Sequence, residues 1–567
     1  MTKTTSFRFF DRLGFCKETL FGVLFLGLGI TSTPAFAQRE LKDIPIPDPE
    51  VEKSTFVIDD GWKVELFAGD PAMAKPIHMN WDNHGRLWIA SSETYPQIKP
   101  GEPSNDKIII LEDSDHDGKA DRTIVFADGL LIPTGVLPAN DGPHASAYVV
   151  NSDQLIYLRD TDGDMVADER KVVLSGFGTE DTHHLLHSLR WGHDGWIYMN
   201  QSIYIHSHIE TPWGVQRLNG GGIWRFHPET KRLEIVVRGF VNPWGVHFDR
   251  YGQMFATDGA YGEGINYTFE GSVFVTAVGS KRIMSGLNPG SPKHCSLEIL
   301  SGDHWPESIR GTMVTNDFRA HRVCRFKVTD DRSGYESVQQ AELIKTPHVA
   351  FRPIDAKQGL DGALYIADWY NPIIQHGEVD FRDERRDRTH GRIWRVTAQG
   401  RPLVPRIDFT RLSVAELLLQ LRAPESYARD MARRLLVARG SAAVVPELTR
   451  WLDALDRTAA DAPRLELEAL WLRQGLDRGG AADVDAGLLV KVLTSRDPRA
   501  RAAAARVVCD WADRLDDPLA LLAAAIDDAS PLVRLEAVRA LATLGGTRAA
   551  ELALHAVEHD RDDPLDY

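Results

Sequence analysis

The stretch Asp181-Thr-His183-His184-Leu-Leu-His187 gathers three histidines within five positions. An imidazole titrates near neutrality, so a histidine held in a concave site suits general-base work on a hydroxyl. Three other positions set a polar residue directly before a proline: Lys75-Pro76, Asn242-Pro243 and Arg352-Pro353. The plain alternatives are prolines that stiffen strand starts and histidines that cap backbone groups. A metal site from His183, His184 and His187 with His206 and His208 is a further option, but no carboxylate matches it in spacing.

Two other segments are crowded with aspartates. Asp113, Asp115, Asp117 and Asp121 occupy positions 1, 3, 5 and 9 of one loop, and Asp160, Asp162, Asp164 and Asp168 repeat that spacing. Four carboxylates so close repel one another unless a hard cation sits among them, and calcium prefers such an oxygen shell. Ile124 and Lys171 stand where an EF-hand needs Glu, and Met165 stands where it needs Gly. These are calcium-loop-like hairpins, with a solvated acidic turn as the alternative.

What could hold these groups together is a repeat. Gly85-Arg-Leu-Trp88, Gly195-Trp-Ile-Tyr198, Gly252-Gln-Met-Phe255 and Gly362-Ala-Leu-Tyr365 share one pattern, each shortly after an Asp, as in a tight hairpin. The glycine intervals of 110, 57 and 110 residues imply six units between 55 and 400. Strand-rich units of this length predict an all-β six-bladed β-propeller. Each polar-Pro step stands nine residues before a marker glycine, and the histidine stretch takes that place in the remaining unit. Rotation about a central tunnel would therefore bring Lys75, His183, His184, Asn242 and Arg352 to one mouth. An extended loop would turn only one of the adjacent His183 and His184 towards the tunnel.

Beyond Arg401 the composition turns to Ala, Leu and Arg at helical spacing. Asp497-Pro498 and Ser530-Pro531, 33 residues apart, each set a capping residue before a proline. An all-α HEAT-like helical solenoid is expected over 408–560, able to dock a protein partner. Residues 38–54 read as a Pro-rich lead-in. Residues 1–37 read as a secretory signal, with an apolar run and an Ala35-Phe-Ala37 cleavage site. The expected location is the periplasm or cell envelope. The net charge of −16 argues against nucleic acid. No C-x-x-C occurs among the four cysteines, which excludes covalent haem, while Cys295 and Cys324 could pair or stay as thiols.

At the histidines the chain resembles the glucose/sorbosone dehydrogenase family, soluble six-bladed quinoproteins that use pyrroloquinoline quinone. His184 precedes Gly192-His-Asp-Gly195 as that family's catalytic histidine precedes its G-x-D-G turn. Asn242-Pro243-Trp244-Gly245 resembles its R-N-P-x-G, Gly262-Glu-Gly-Ile-Asn266 its G-D-E-x-N, and Arg352-Pro-Ile-Asp355 its R-x-R-D. The whole of 55–400 resembles membrane-bound dehydrogenases of planctomycete-type bacteria. In those, HEAT repeats and then a cytochrome c segment often follow the propeller. No such segment follows here, so a separate cytochrome or other acceptor is expected.

The resemblance implies His184 or His183 as the base. Lys75, His187, Asn242, Trp244, Asp258, Asn266, Arg352 and Asp355 are the candidates for holding cofactor or substrate. Val241 and Ile354 replace two expected arginines, which removes cations from an anionic cofactor. The leading expectation is an exported oxidoreductase acting on a sugar, sugar aldehyde or related alcohol. A non-catalytic glycan- or protein-binding scaffold and a calcium-dependent hydrolase or lactonase are the alternatives.

Overall fold

A computed structural model describes residues 38, 40–259, 263–277, 279–288, 293–374, 379–477 and 484–567. The proposed signal segment and Gly262 lie outside the described residues. Six sheets stand around a tunnel, and the first strand of each touches the first strand of the next until the ring closes. Those six inner strands are Pro76–Trp81, Pro133–Pro138, His187–Trp191, Pro243–Phe248, Cys295–Ile299 and Pro353–Gln358. The ring is locked by the chain's first strand. Trp62–Gly69 pairs antiparallel with Arg392–Ala398 and so completes the last blade. Blade 4 differs from the other five, each of which has at least four strands. Among the described residues it has three strands, and only an isolated bridge from Val273 to Arg238 follows them.

The four marker glycines occupy the innermost hairpins of blades 1, 3, 4 and 6, at φ between 75° and 83°. Left-handed backbone of this kind favours glycine. The residues around each glycine form a local device. Asp82 accepts from the main-chain N–H of His84 and Arg86, and Asp249 does the same for Tyr251 and Gln253. The aromatic at the fourth position reaches back to that carboxylate: Trp88 Nε1 donates to Asp82, Tyr198 Oη to Asp194 and Tyr365 Oη to Asp361. Phe255 has no such donor, and its blade uses Tyr267 Oη on Gln253 instead.

The helices from Val414–Gln420 onward pack in antiparallel pairs around their own core. Asp497 caps its helix by accepting from Arg499 N; Ser530 begins its helix without a side-chain cap. This solenoid lies across the marker-hairpin face of the propeller. Tyr427 donates to Asp82 O, Arg434 to Pro138 O and Ala139 O, and Arg506 to Tyr251 O, while Trp471 stacks on His193 at 4.2 Å. One mouth of the tunnel is thus covered by the chain itself. No helix among the described residues is long and apolar enough to cross a membrane. Cys295 and Cys324 are buried thiols, not a disulfide.

Candidate functional site

The opposite mouth is open and holds a cavity of about 100 Å³. Its lining includes His183, His184, His187, Asn242, Trp244 and Arg352 from the expected set. The segment from Asp181 to Leu186 turns rather than extends, and both adjacent histidines line the cavity. The extended loop under which only one of them would face the tunnel is therefore not formed. Asp181, a residue the sequence reading did not assign, hydrogen-bonds His183 and stands within ion-pair distance of His184. Its Oδ1 lies 2.9 Å from His183 Nδ1 and its Oδ2 lies 2.9 Å from His184 Nδ1. Burial pushes the Asp181 pKa up, but the two neighbouring histidines outweigh it and hold the carboxyl below its ordinary value. A carboxylate on Nδ1 puts the imidazole lone pair on Nε2, the tautomer a base needs.

Other expected contacts are engaged elsewhere. Lys75 Nζ donates to Trp369 O and Tyr370 O at 2.9 and 2.7 Å and pairs with Asp387 at 3.0 Å. Burial lowers its pKa to about 8 against the pull of Asp387. Arg352 reaches the cavity wall, yet its guanidinium donates to Asn371 O, Phe318 O and Pro372 O. It binds loops together, and with Nη1 also facing His321 Nδ1 at 3.2 Å, four of its five N–H donors are committed within the protein. Burial lowers its pKa to about 9, which leaves it charged at neutral pH. His187 sets its two nitrogens 2.6 Å from Leu185 O and 2.8 Å from Pro243 O, so it props the wall.

Asp258 accepts from Val241 N and Asn242 N, which fixes the loop that presents Asn242. Asn266 is buried in blade 4 against Gly264 O and Arg282. Asp355 faces down the tunnel, 2.7 Å from Lys357 Nζ, and accepts from Met79 N and Ser296 Oγ. Asp258, Asn266, Asp355 and Lys75 are therefore structural in this fold rather than members of the cavity wall.

The cavity gains residues to which the sequence assigned no site role. Tyr95, Phe318 and Trp369 join Trp244 as aromatic walls, and Lys293, Arg319 and Arg386 add cations. Among the described residues neither Lys293 nor Arg319 has a hydrogen-bond or ion-pair partner. No carboxylate lines the cavity among the described residues, although the chain carries a net charge of −16. A planar, anionic quinone therefore fits by type, through cations other than the expected ones and through aromatic faces.

The aspartate loops are far from this chemistry. Both are turns between the third and fourth strands of blades 1 and 2, on the face covered by the solenoid. Asp113, Asp115 and Asp117 converge in one, and Asp160, Asp162 and Asp168 in the other. Asp121 instead accepts from Ser114, and Asp164 from Val166 N. Asp113 Oδ1 is buried without a hydrogen bond, as a cation ligand would be, while Arg406 holds Oδ2 at 2.6 Å. Asp160 spends both oxygens on the N–H groups of Asp162, Gly163 and Met165, which suits calcium less.

Comparisons with known proteins add the following. Residues 487–566 match HEAT repeats. No curated protein matches the chain. Among solved structures, an oxidoreductase (glucose dehydrogenase) from Thermus thermophilus is 18% identical, covers 59% of this chain and 100% of its own, and gives a TM-score of 0.41. The soluble aldose sugar dehydrogenase from Escherichia coli in its apo form is 14% identical over 60% of this chain and 100% of its own, with a TM-score of 0.40. The PQQ-bound aldose sugar dehydrogenase from Streptomyces coelicolor is 14% identical over 60% and 99%, with a TM-score of 0.39. Likeness this distant transfers no activity. The model of a domain of unknown function (DUF7133) matches residues 48–286 and 289–400, well over half of the chain, and the chain belongs to that family.

Proposed function

We propose that the open mouth is the active site of an exported oxidoreductase acting on a sugar, sugar aldehyde or related alcohol. The observation that carries this reading is the Asp181–His184 pair on the wall of the cavity. His184 Nε2 takes the hydroxyl proton as the neighbouring C–H is oxidised, and Asp181 stabilises the imidazolium that forms. Asn242 and the aromatic walls orient the substrate, and Arg352 keeps the surrounding loops in place. Pyrroloquinoline quinone, when bound, would supply the hydride acceptor, and Lys293 and Arg319 are the residues that would hold its carboxylates. A separate cytochrome or similar carrier would reoxidise it, and the outer solenoid surface is available for such a partner.

The test is reduction of an artificial acceptor by purified protein reconstituted with the quinone, across a panel of sugars, aldehydes and alcohols. Protein recovered from the periplasm should begin at Gln38. Failure of every substrate would leave the second reading, a non-catalytic glycan-binding propeller, which the engagement of Arg352 by loop carbonyls favours.

Calcium is proposed for the loop of Asp113, Asp115 and Asp117, as a structural ion rather than a catalytic one. A ligand that binds only the folded state at about 100 times its Kd adds about 2.7 kcal/mol. Calcium added to chelator-treated protein should therefore raise the melting midpoint, and Asp115→Ala should abolish most of the rise. A midpoint indifferent to calcium reduces both loops to solvated turns.

A further inference from the structure

The loop that leaves the strand Ile197–Gln201 of blade 3 carries Tyr204 at a φ of 74°, in the left-handed region. Bulky residues avoid that conformation, and it persists only where the surroundings over-determine it. Here they do. Ile203 N donates to Val241 O at 2.8 Å, Gly220 N to Ile205 O at 2.9 Å, and Gln201 Nε2 to Ile205 O at 3.3 Å. Ser202 N donates to His184 O at 3.3 Å, which ties the loop to the histidine segment.

Among the described residues Tyr370 is the other tyrosine in this conformation, and packing explains it: its ring is buried beneath Arg392 at 4.1 Å. Tyr204 is 58% exposed, and its ring stands 5.4 Å from the His184 ring, edge to face at 87°. Glycine would satisfy the backbone at this point, and the side chain contributes little burial. A large apolar face is thus presented to solvent beside the base, at the rim of the cavity.

We infer that Tyr204 is a substrate-binding platform whose ring stacks on the C–H face of a pyranose and sets its hydroxyl against His184. The inference rests on the carbohydrate reading of the mouth and adds the contact that selects a ring-form sugar. An aromatic face and an apolar ring edge attract one another, whereas small open-chain alcohols gain little from such a surface.

The experiment measures binding of D-glucose, D-galactose, cellobiose and 1-propanol by intrinsic tryptophan fluorescence, since Trp244 and Trp369 line the cavity. No acceptor is added, so turnover plays no part. Tyr204→Gly should weaken sugar binding about tenfold, from the loss of one aromatic contact, with the melting midpoint unchanged or raised. Tyr204→Trp should keep wild-type affinity within about threefold, because it preserves the apolar face. Unchanged sugar affinity in Tyr204→Gly overturns the inference while leaving the oxidoreductase reading intact. A midpoint several degrees lower in Tyr204→Gly also overturns it, because the ring would then be structural. A wild-type protein that binds none of the sugars defeats the carbohydrate reading, and the platform with it.

Discussion

Asp181→Asn is expected to lower turnover about 10²–10⁴-fold on any confirmed substrate, the usual size of a disabled general base. The substitution preserves shape but replaces the carboxylate that faces Nδ1 of His183 and His184 at 2.9 Å. An amide there can donate to Nδ1, which moves the lone pair away from Nε2. His184→Ala should cost about as much, and the double variant little more, because the two side chains act as one unit. His183→Ala is the comparison. It shares the carboxylate and the cavity, so a fall of about tenfold is expected from disturbed positioning. Steady-state turnover with an artificial acceptor, beside thermal midpoints, decides the matter. Full activity in both histidine variants would end the proposed mechanism.

Asp355→Ala should be the most destabilising single change in the tunnel, at about 3–5 kcal/mol. The resemblance assigns this residue to cofactor binding, but here it neutralises buried Lys357 at 2.7 Å and accepts from Met79 N and Ser296 Oγ. Its removal leaves an ammonium unpaired in the interior. Replacing both partners, with Lys357→Met added, should recover most of the loss, since an apolar pair requires no compensation. Urea unfolding of the wild type, both single variants and the double variant closes the cycle. No recovery in the double variant would show that the ion pair is not the source of the effect.

The pH dependence of that prediction has a definite sign. Burial raises the Asp355 pKa, but Lys357 and His78 outweigh it, so the folded value lies below the ordinary 3.8. The contribution is therefore present at neutral pH and lost as pH falls below the carboxylate range. Burial also lowers the Lys357 pKa. The deficit of Asp355→Ala should accordingly narrow at alkaline pH, where Lys357 loses its charge.

The blade count was legible in the sequence because the marker device is local. An aspartate, a left-handed glycine and an aromatic donor lie within seven residues, so the hairpin that they build is written in their spacing. The helical half was legible for a similar reason, through capping residues and 3.6-residue periodicity. The three strands of blade 4 among the described residues were not legible, because nothing local distinguishes a fourth strand from the segment after Phe269.

The sequence by itself determined the fold class and the loop that carries the histidines. Only the tertiary structure decided which polar groups reach the cavity. Lys75 meets carbonyls 294 and 295 residues away, and Arg352 meets one 34 residues away. Lys293 and Arg319 come to the mouth from the approaches to two different strands of blade 5, with no motif of their own. Local spacing reports which turn or helix a segment forms. A buried cation, by contrast, turns to whatever acceptors the assembled loops place around it, since burial without them is too costly.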